Sequence, residues 1–183
     1  PVHQTRLESL KTFEQKGFPS RKDEAWKYTS LNAMIRNDFA LFPETETTIE
    51  IKKVKKYFLY EIDTYKVVFI DGAYSPFLSD TTHDGLDVCL MSAALSKAKY
   101  RKFIDSYFNK IANIKDSLTA LNTSYTKEGA YIYVPKSVVA EKPIELIHFS
   151  TGRDKPLWLQ PRNLIVVDKN CLLYTSPSPR DPH

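Results

Sequence analysis

The chain has little cysteine and little glycine. Its 183 residues hold two cysteines, Cys89 and Cys171, and five glycines. The two thiols stand far apart and match no zinc or redox spacing, which argues against a disulfide scaffold or a structural metal site. With so few glycines, an ATP site is not expected, and no glycine-rich phosphate loop, GxSxG or HExxH occurs. Long apolar runs are missing too: VVFI at 67–70 and LIVV at 164–167 are far too short to span a membrane. The N-terminus is polar rather than signal-like, so a cytoplasmic protein is expected. Neither sign of charge dominates. A net charge of +4, with acids and bases interleaved, implies neither a nucleic acid nor a membrane as partner. What is present is 42% hydrophobic residues, enough to bury the core of one compact domain or two small ones.

Residues 1–42 read as a helical N-terminal region. Leu7, Leu10 and Phe13 recur near helical spacing between His3 and Lys16, and Gly17 is placed to end that helix in a left-handed cap. Ser20 and Asp23 fit a capping box that starts a second helix, with Asp23 and Glu24 at its positive end. Trp26 and Tyr28, set among charges in GFPSRKDEAWKYTSL, are expected to dock this unit onto the rest of the chain. Leu31, Met34, Ile35 and Phe39 form a further apolar stripe that Pro43 closes.

Residues 43–128 read as a mixed α/β segment. Val67–Ile70 is a buried-strand candidate, Asp71-Gly72 is a turn dipeptide, and a second extended piece follows it. GLDVCLMS offers another strand. From Ser92 to about Lys115 the apolar positions trace one long amphipathic helix, and a shorter helix through Leu118, Leu121 and Tyr125 runs to Gly129, which suits its cap. Residues 129–170 abandon helical spacing: Ala130–Val134, Ile144–Phe149 and Leu164–Val167 are strand-like runs bounded by Pro, Gly or charge. A sandwich, a barrel and the coils of a β-solenoid all fit their spacing. Residues 171–183, CLLYTSPSPRDPH, lose periodicity altogether and resemble the read-through translation of a sequencing adapter, so they are read as a non-native tail.

The chemistry on offer is thin. A metal or cluster site needs several converging thiolates or imidazoles, which Cys89 and dispersed histidines do not supply. Cys89 lies between Val88 and Leu90 and reads as a buried thiol. His83 reads as a loop residue that Asp84 can orient, His148 as pointing to the strand face opposite Ile147 and Phe149, and His3 as near a frayed end. In KKVKKYFLY, lysines beside Tyr57 and Phe58 resemble a single-strand binding patch, but Glu44, Glu46, Glu50 and Glu61 flank it. A solvated edge with aromatics tucked into the core is the plainer reading.

FPSRKDEAWKYTSL resembles the N-terminal signature of the SufB/SufD family, on its SufD side, of the SUF iron-sulfur cluster assembly system. VVFIDGAYSPFLS, SLTALNTSYTKEGAYIYVPKSVVAEKPIELIHF and QPRNLIVVDKN are similar to later parts of that family in consistent order, from about residue 7 to 170. The resemblance implies an α+β fold: an N-terminal helical region and a mixed α/β segment leading into a right-handed parallel β-helix, truncated here early in its core. It implies a non-catalytic scaffold subunit that pairs through the β-helix with a SufB-like paralogue. A SufC-like ABC-type ATPase would dock on a C-terminal region absent here and would hydrolyse the ATP. The cluster would be handled transiently by the full complex. The family's cluster-building residues lie later in the chain, so no catalytic, cofactor-binding or metal residue is assigned here.

Two other readings stand beside it. A β-helix can host a polysaccharide-acting enzyme, which needs converging carboxylates, and Glu141 and Glu145 are the acids near a strand pair. An independent protein-binding module built on the N-terminal helices is the other.

Overall fold

The computed structural model describes residues 2–41, 49–80, 82–112, 115–152 and 154–173. Pro43, Glu44, Glu46 and the tail beyond residue 173 lie outside these.

Helix α1 covers Val2–Lys16, and Gly17, at φ 67°, ends it by donating its N–H to the Phe13 carbonyl at 2.7 Å. The helix lies along α6 (Ser117–Tyr125), to which Arg6 Nε donates at the Ser124 carbonyl, 3.1 Å. Ser9 is the residue buried at this contact, and Leu7, expected in the core, is exposed. A three-residue repeat slips by about 60° per step around a helix, so Leu7, Leu10 and Phe13 cannot all face one neighbour.

The expected second helix does not form. The Ser20 N–H donates to Asp23 Oδ2 at 2.7 Å, as in a capping box, but only a 3₁₀ turn over Glu24–Trp26 follows, and Asp23 itself is its extended N-cap. The Leu31 stripe gives one turn, α2 (Asn32–Ile35). Local hydrogen bonds satisfy this segment, and its apolar side chains are at most partly buried, so a longer helix gains little from packing.

The core is two three-stranded sheets packed face to face. Strand β1 (Tyr65–Ile70) turns through Asp71-Gly72 into β2 (Ala73–Tyr74), antiparallel as expected. Both turn residues have positive φ, 49° and 79°, the conformation that favours Asp-Gly in tight hairpins. On its other side β1 pairs in parallel with β5 (Ile144–Phe149), giving the order β2-β1-β5. In the second sheet β3 (Asp87–Leu90) runs antiparallel to β4 (Ala130–Val134), and β4 pairs in parallel with β6 (Leu164–Val167). Each sheet takes strands from both the 43–128 and the 129–170 segments. Val67 and Phe69 of the first sheet meet Ala130 and Ile132 of the second. Alternation turns Val68 to the first sheet's outer face, and Tyr131 and Tyr133 to the second's.

Helices cover those outer faces. Val54 of α3 (Ile51–Lys55), with Phe58 and Leu78, covers Val68. Met91 and Ala94 of α4 (Met91–Ser96), with Tyr100 and Ile104 of α5 (Ala98–Tyr107), cover Tyr131. The single long helix expected from Ser92 is thus two, broken at Lys97, whose backbone is extended (φ −100°, ψ 121°). In a straight helix Tyr100 would stand about 240° round from Ala94, away from the sheet. The break returns it, and α5 ends by Tyr107, leaving Ile111 96% exposed.

Beyond α1, which docks on α6, the rest of the N-terminal region docks through Trp158, and the expected Tyr28 takes no part. Phe18 and Phe39 meet the Trp158 ring edge-on at 6.2 and 4.9 Å, and Phe13 packs on Phe18 at 5.0 Å. A parallel bridge joins Ala40 to Leu157, with Ala40 N–H donating to the Pro156 carbonyl and Trp158 N–H to that of Ala40, both at 2.9 Å. Trp26 is half-buried and Tyr28 is 89% exposed, so Tyr28 takes no part in this docking.

Candidate functional surface at the free sheet edges

Among the described residues, β5 and β6 each pair on one side only, so both sheets end in a strand whose outer backbone groups have no ladder partner. Six consecutive register pairs join β5 to β1, from Tyr65–Ile144 to Ile70–Phe149. Four join β6 to β4, from Tyr131–Leu164 to Val134–Val167. The Ala40–Leu157 bridge, also parallel, lies between β5 and β6 in sequence. Thus the chain from β4 to β6 passes three places where it stacks in parallel on other segments. What such an edge can do chemically is accept a further strand through main-chain hydrogen bonds.

Side chains fix the two edges to one another. The Asn163 Oδ1 accepts from the Ala130 N–H at 2.8 Å, which turns its Nδ2 toward His148 Nε2, 3.3 Å away. His148 stacks flat on Phe69 at 4.9 Å, opposite Ile147 and Phe149 as expected; the residue is exposed, and the one-sided desolvation of its ring by that stacking holds its pKa below the ordinary imidazole value. Beside it Arg162 donates to Asn122 Oδ1 at 2.7 Å and to Asn109 Oδ1 at 2.5 Å, with its guanidinium 5.7 Å from the Phe108 ring. Burial pushes this guanidinium pKa down. Asn109 adopts φ 60°, which the amide side chain tolerates, and so ends α5 pointing at Arg162.

Gly129 is not a helix cap. Its φ is not positive, and α6 ends at Tyr125 with Thr126 as its cap. A Cβ at Gly129 would stand 2.0 Å from the Arg162 carbonyl oxygen, so glycine is needed for backbone approach where β6 stacks on β4. The dipeptide Arg162-Asn163 before LIVV, and the cap Asp116, which accepts from Thr119 N–H at 2.7 Å, carried no expectation from sequence. Asp116 was findable as an N-cap type three residues ahead of a donor; the partners of Arg162 and Asn163 are remote in sequence.

The residues weighed for chemistry stay apart. Among the described residues no three His, Cys, Asp or Glu side chains form a metal-holding group. Cys89 is half-buried opposite Tyr131 in the register, and burial raises its thiol pKa. His83 is not the open loop residue expected. It is buried edge-on to Tyr65 at 5.5 Å, its pKa lowered by desolvation against a smaller opposing effect of Asp80. Asp84, expected to orient it, accepts from the Tyr65 hydroxyl instead. His3 is exposed on α1. Glu145 spends one oxygen on the Leu59 N–H and the other on the Thr64 hydroxyl, both at 2.9 Å, while Glu141 is exposed. In KKVKKYFLY, Phe58 is buried and Tyr57 is not. No helix among the described residues is long and apolar enough to cross a membrane.

Residues 1–146 match the family described as the SufBD protein N-terminal region. An iron-sulfur cluster assembly SufBD family protein of Synechocystis is 25% identical over 152 residues, covering 83% of this chain and 33% of its own length. The iron-sulfur cluster assembly protein SufD of Escherichia coli is 31% identical over 147 residues, 74% of this chain and 29% of its own length. The chain therefore spans about a third of the length of these curated relatives. With the family match running from α1 into β5, the chain belongs to the SufBD family, whose N-terminal region it carries.

Proposed function

We propose that the chain serves iron-sulfur cluster assembly as the N-terminal region of a SufD-type scaffold subunit, a non-catalytic cytoplasmic partner of a SufB-like paralogue and a SufC-like ATPase. Its part is to found a right-handed parallel β-helix. The observation that carries this reading is the stacking of β5 on β1, β6 on β4 and Leu157 on Ala40, three parallel contacts spread around one passage of the chain. A solenoid is stabilised by each coil lying on the last, so its first coil needs a base of other structure. Here β1, β3 and the segment at Ala40 supply that base, and β5 and β6 offer the edges for the next coil. The cluster is cargo held by residues outside this chain.

Co-expression of the full-length protein with its SufB-like and SufC-like neighbours tests the reading. The three should purify together at fixed stoichiometry, and deleting the gene should lower the activity of cluster-containing enzymes. A full-length protein that purifies alone, with cluster enzymes unaffected by its deletion, would overturn it.

A further inference from the structure

The segment KKVKKYFLY is folded as a basic, partly apolar outer layer on the first sheet. Val54 and Phe58, four residues apart, are buried against Val68 and fix the rotation of α3. That rotation leaves Lys52, Lys53, Lys55 and Lys56 all exposed. Lys53 has an ion pair with Glu50 at 3.6 Å, itself exposed; the other three have no carboxylate partner among the described residues. The nearby Glu145 is already spent on Leu59 and Thr64.

Large apolar side chains stand among these charges. Tyr60 is 69% exposed, with its hydroxyl held to the Lys55 carbonyl at 2.6 Å. Phe77 is 91% exposed, next in sequence to Leu78, which packs on Val54 and Phe58. Ile51, Leu59 and Ile62 of the same stretch are exposed as well, and apolar side chains gathered this way mark an interaction surface rather than singly exposed residues. The rings are poorly disposed for nucleobases. Tyr57 lies against Phe149 at 5.5 Å with the Lys56 ammonium 4.9 Å from its centroid, and Lys66 lies 5.8 Å from the Phe58 centroid. Of the two rings inside the lysine run, Phe58 is buried and Tyr57 is partly covered by Phe149, so the run offers no row of free ring faces for successive bases.

We propose that this layer is a docking surface for an acidic, amphipathic segment of a partner protein, its carboxylates meeting Lys52, Lys55 and Lys56 and its apolar side meeting Tyr60 and Phe77. Charge complementarity selects the acidic partner, and the exposed rings demand that it also be apolar. The surface covers a sheet face, so it is independent of any strand added at β5 or β6.

Fluorescence anisotropy on the full-length protein tests this with four defined probes. They are a synthetic peptide with Glu and Leu on opposite sides of a helix, the same composition scrambled, oligo-dT, and phosphatidylcholine vesicles carrying phosphatidylserine. The amphipathic peptide should bind most tightly and weaken with salt. Lys52→Glu, Lys55→Glu and Lys56→Glu together should lower its affinity by about ten-fold, as three exposed charge contacts imply. Tyr60→Ser with Phe77→Ser should also lower it while the circular dichroism stays unchanged. The proposal fails if the scrambled peptide, oligo-dT or the vesicles bind as tightly, if the charge-reversed protein binds undiminished, or if no peptide binds.

Discussion

Gly129 and Arg162 lie so close that a single carbon added to the glycine would stand 2.0 Å from the arginine carbonyl oxygen. Backbone faces backbone there, so no side chain can swing aside. Gly129→Ala should cost about 3 kcal/mol. Gly152→Ala is the control: a Cβ there meets nothing within 4 Å, and its cost should stay within about 0.5 kcal/mol. Urea unfolding of both variants measures the difference.

Trp158 stands where the N-terminal region meets the sheets, and Tyr28 faces water. Trp158→Ala should lose about 2 kcal/mol, less than a fully buried ring would, because this one is half-exposed. Tyr28→Ala should change stability by no more than about 0.5 kcal/mol. A reversed order in thermal melts would show that the signature stretch, and not Trp158, holds the N-terminal region in place.

Acid should weaken the fold in two separate windows. Buried His83 and the exposed His148, stacked on Phe69, are both held below the ordinary imidazole pKa by desolvation. The unfolded chain therefore binds more protons once pH falls through about 6.5, so stability drops there and levels off below the folded values. Asp63 and Asp168 are lowered too, by partners that favour the charged form rather than by burial. The Lys142 ammonium lowers the Asp63 pKa, and the Lys169 N–H with the Tyr133 hydroxyl lowers that of Asp168. Their contribution is present above the ordinary carboxylate value and is lost as pH falls below about 4. His83→Phe should shrink the first window to the share left by His148 and spare the second, which urea midpoints across pH will read. Since His83 Nε2 has no hydrogen-bond partner, its removal should cost little at neutral pH.

Cys89 should behave as part of the packing. A half-buried thiol with a raised pKa alkylates slowly in the folded protein and quickly in urea. Cys89→Ala should cost about 1 kcal/mol and leave the full-length protein able to complement a deletion strain. Complementation lost with the melting temperature intact would make the thiol functional.

Local chemistry made much of the architecture readable. The short apolar runs AYIYV, IELIHF and LIVV, bounded by Pro, Gly or charge, placed β4, β5 and β6 at their observed bounds, and Asp-Gly marked the hairpin after β1. The helix break at Lys97 was not readable, because no Pro or Gly marks it and its cause is the position of Tyr131 on a remote strand. Gly129 was read as a cap for the same reason: its neighbour in space is Arg162, and spacing along the chain does not reveal it. His83 looked like a loop residue because its burial depends on Tyr65.

By itself the sequence determined which segments are strands, which turn is tight, where α1 stops, and that no metal-binding spacing of cysteines runs through the chain. These follow from side-chain period, glycine's access to positive φ and the geometry of ligands. Tertiary structure alone decided that β1 pairs with β5 and β4 with β6, both in parallel, and that Trp158 rather than Tyr28 anchors the N-terminal region. Period two fixes a strand's faces but not its neighbour. The neighbour is chosen by which apolar faces close on each other, and here those faces lie far apart in the chain.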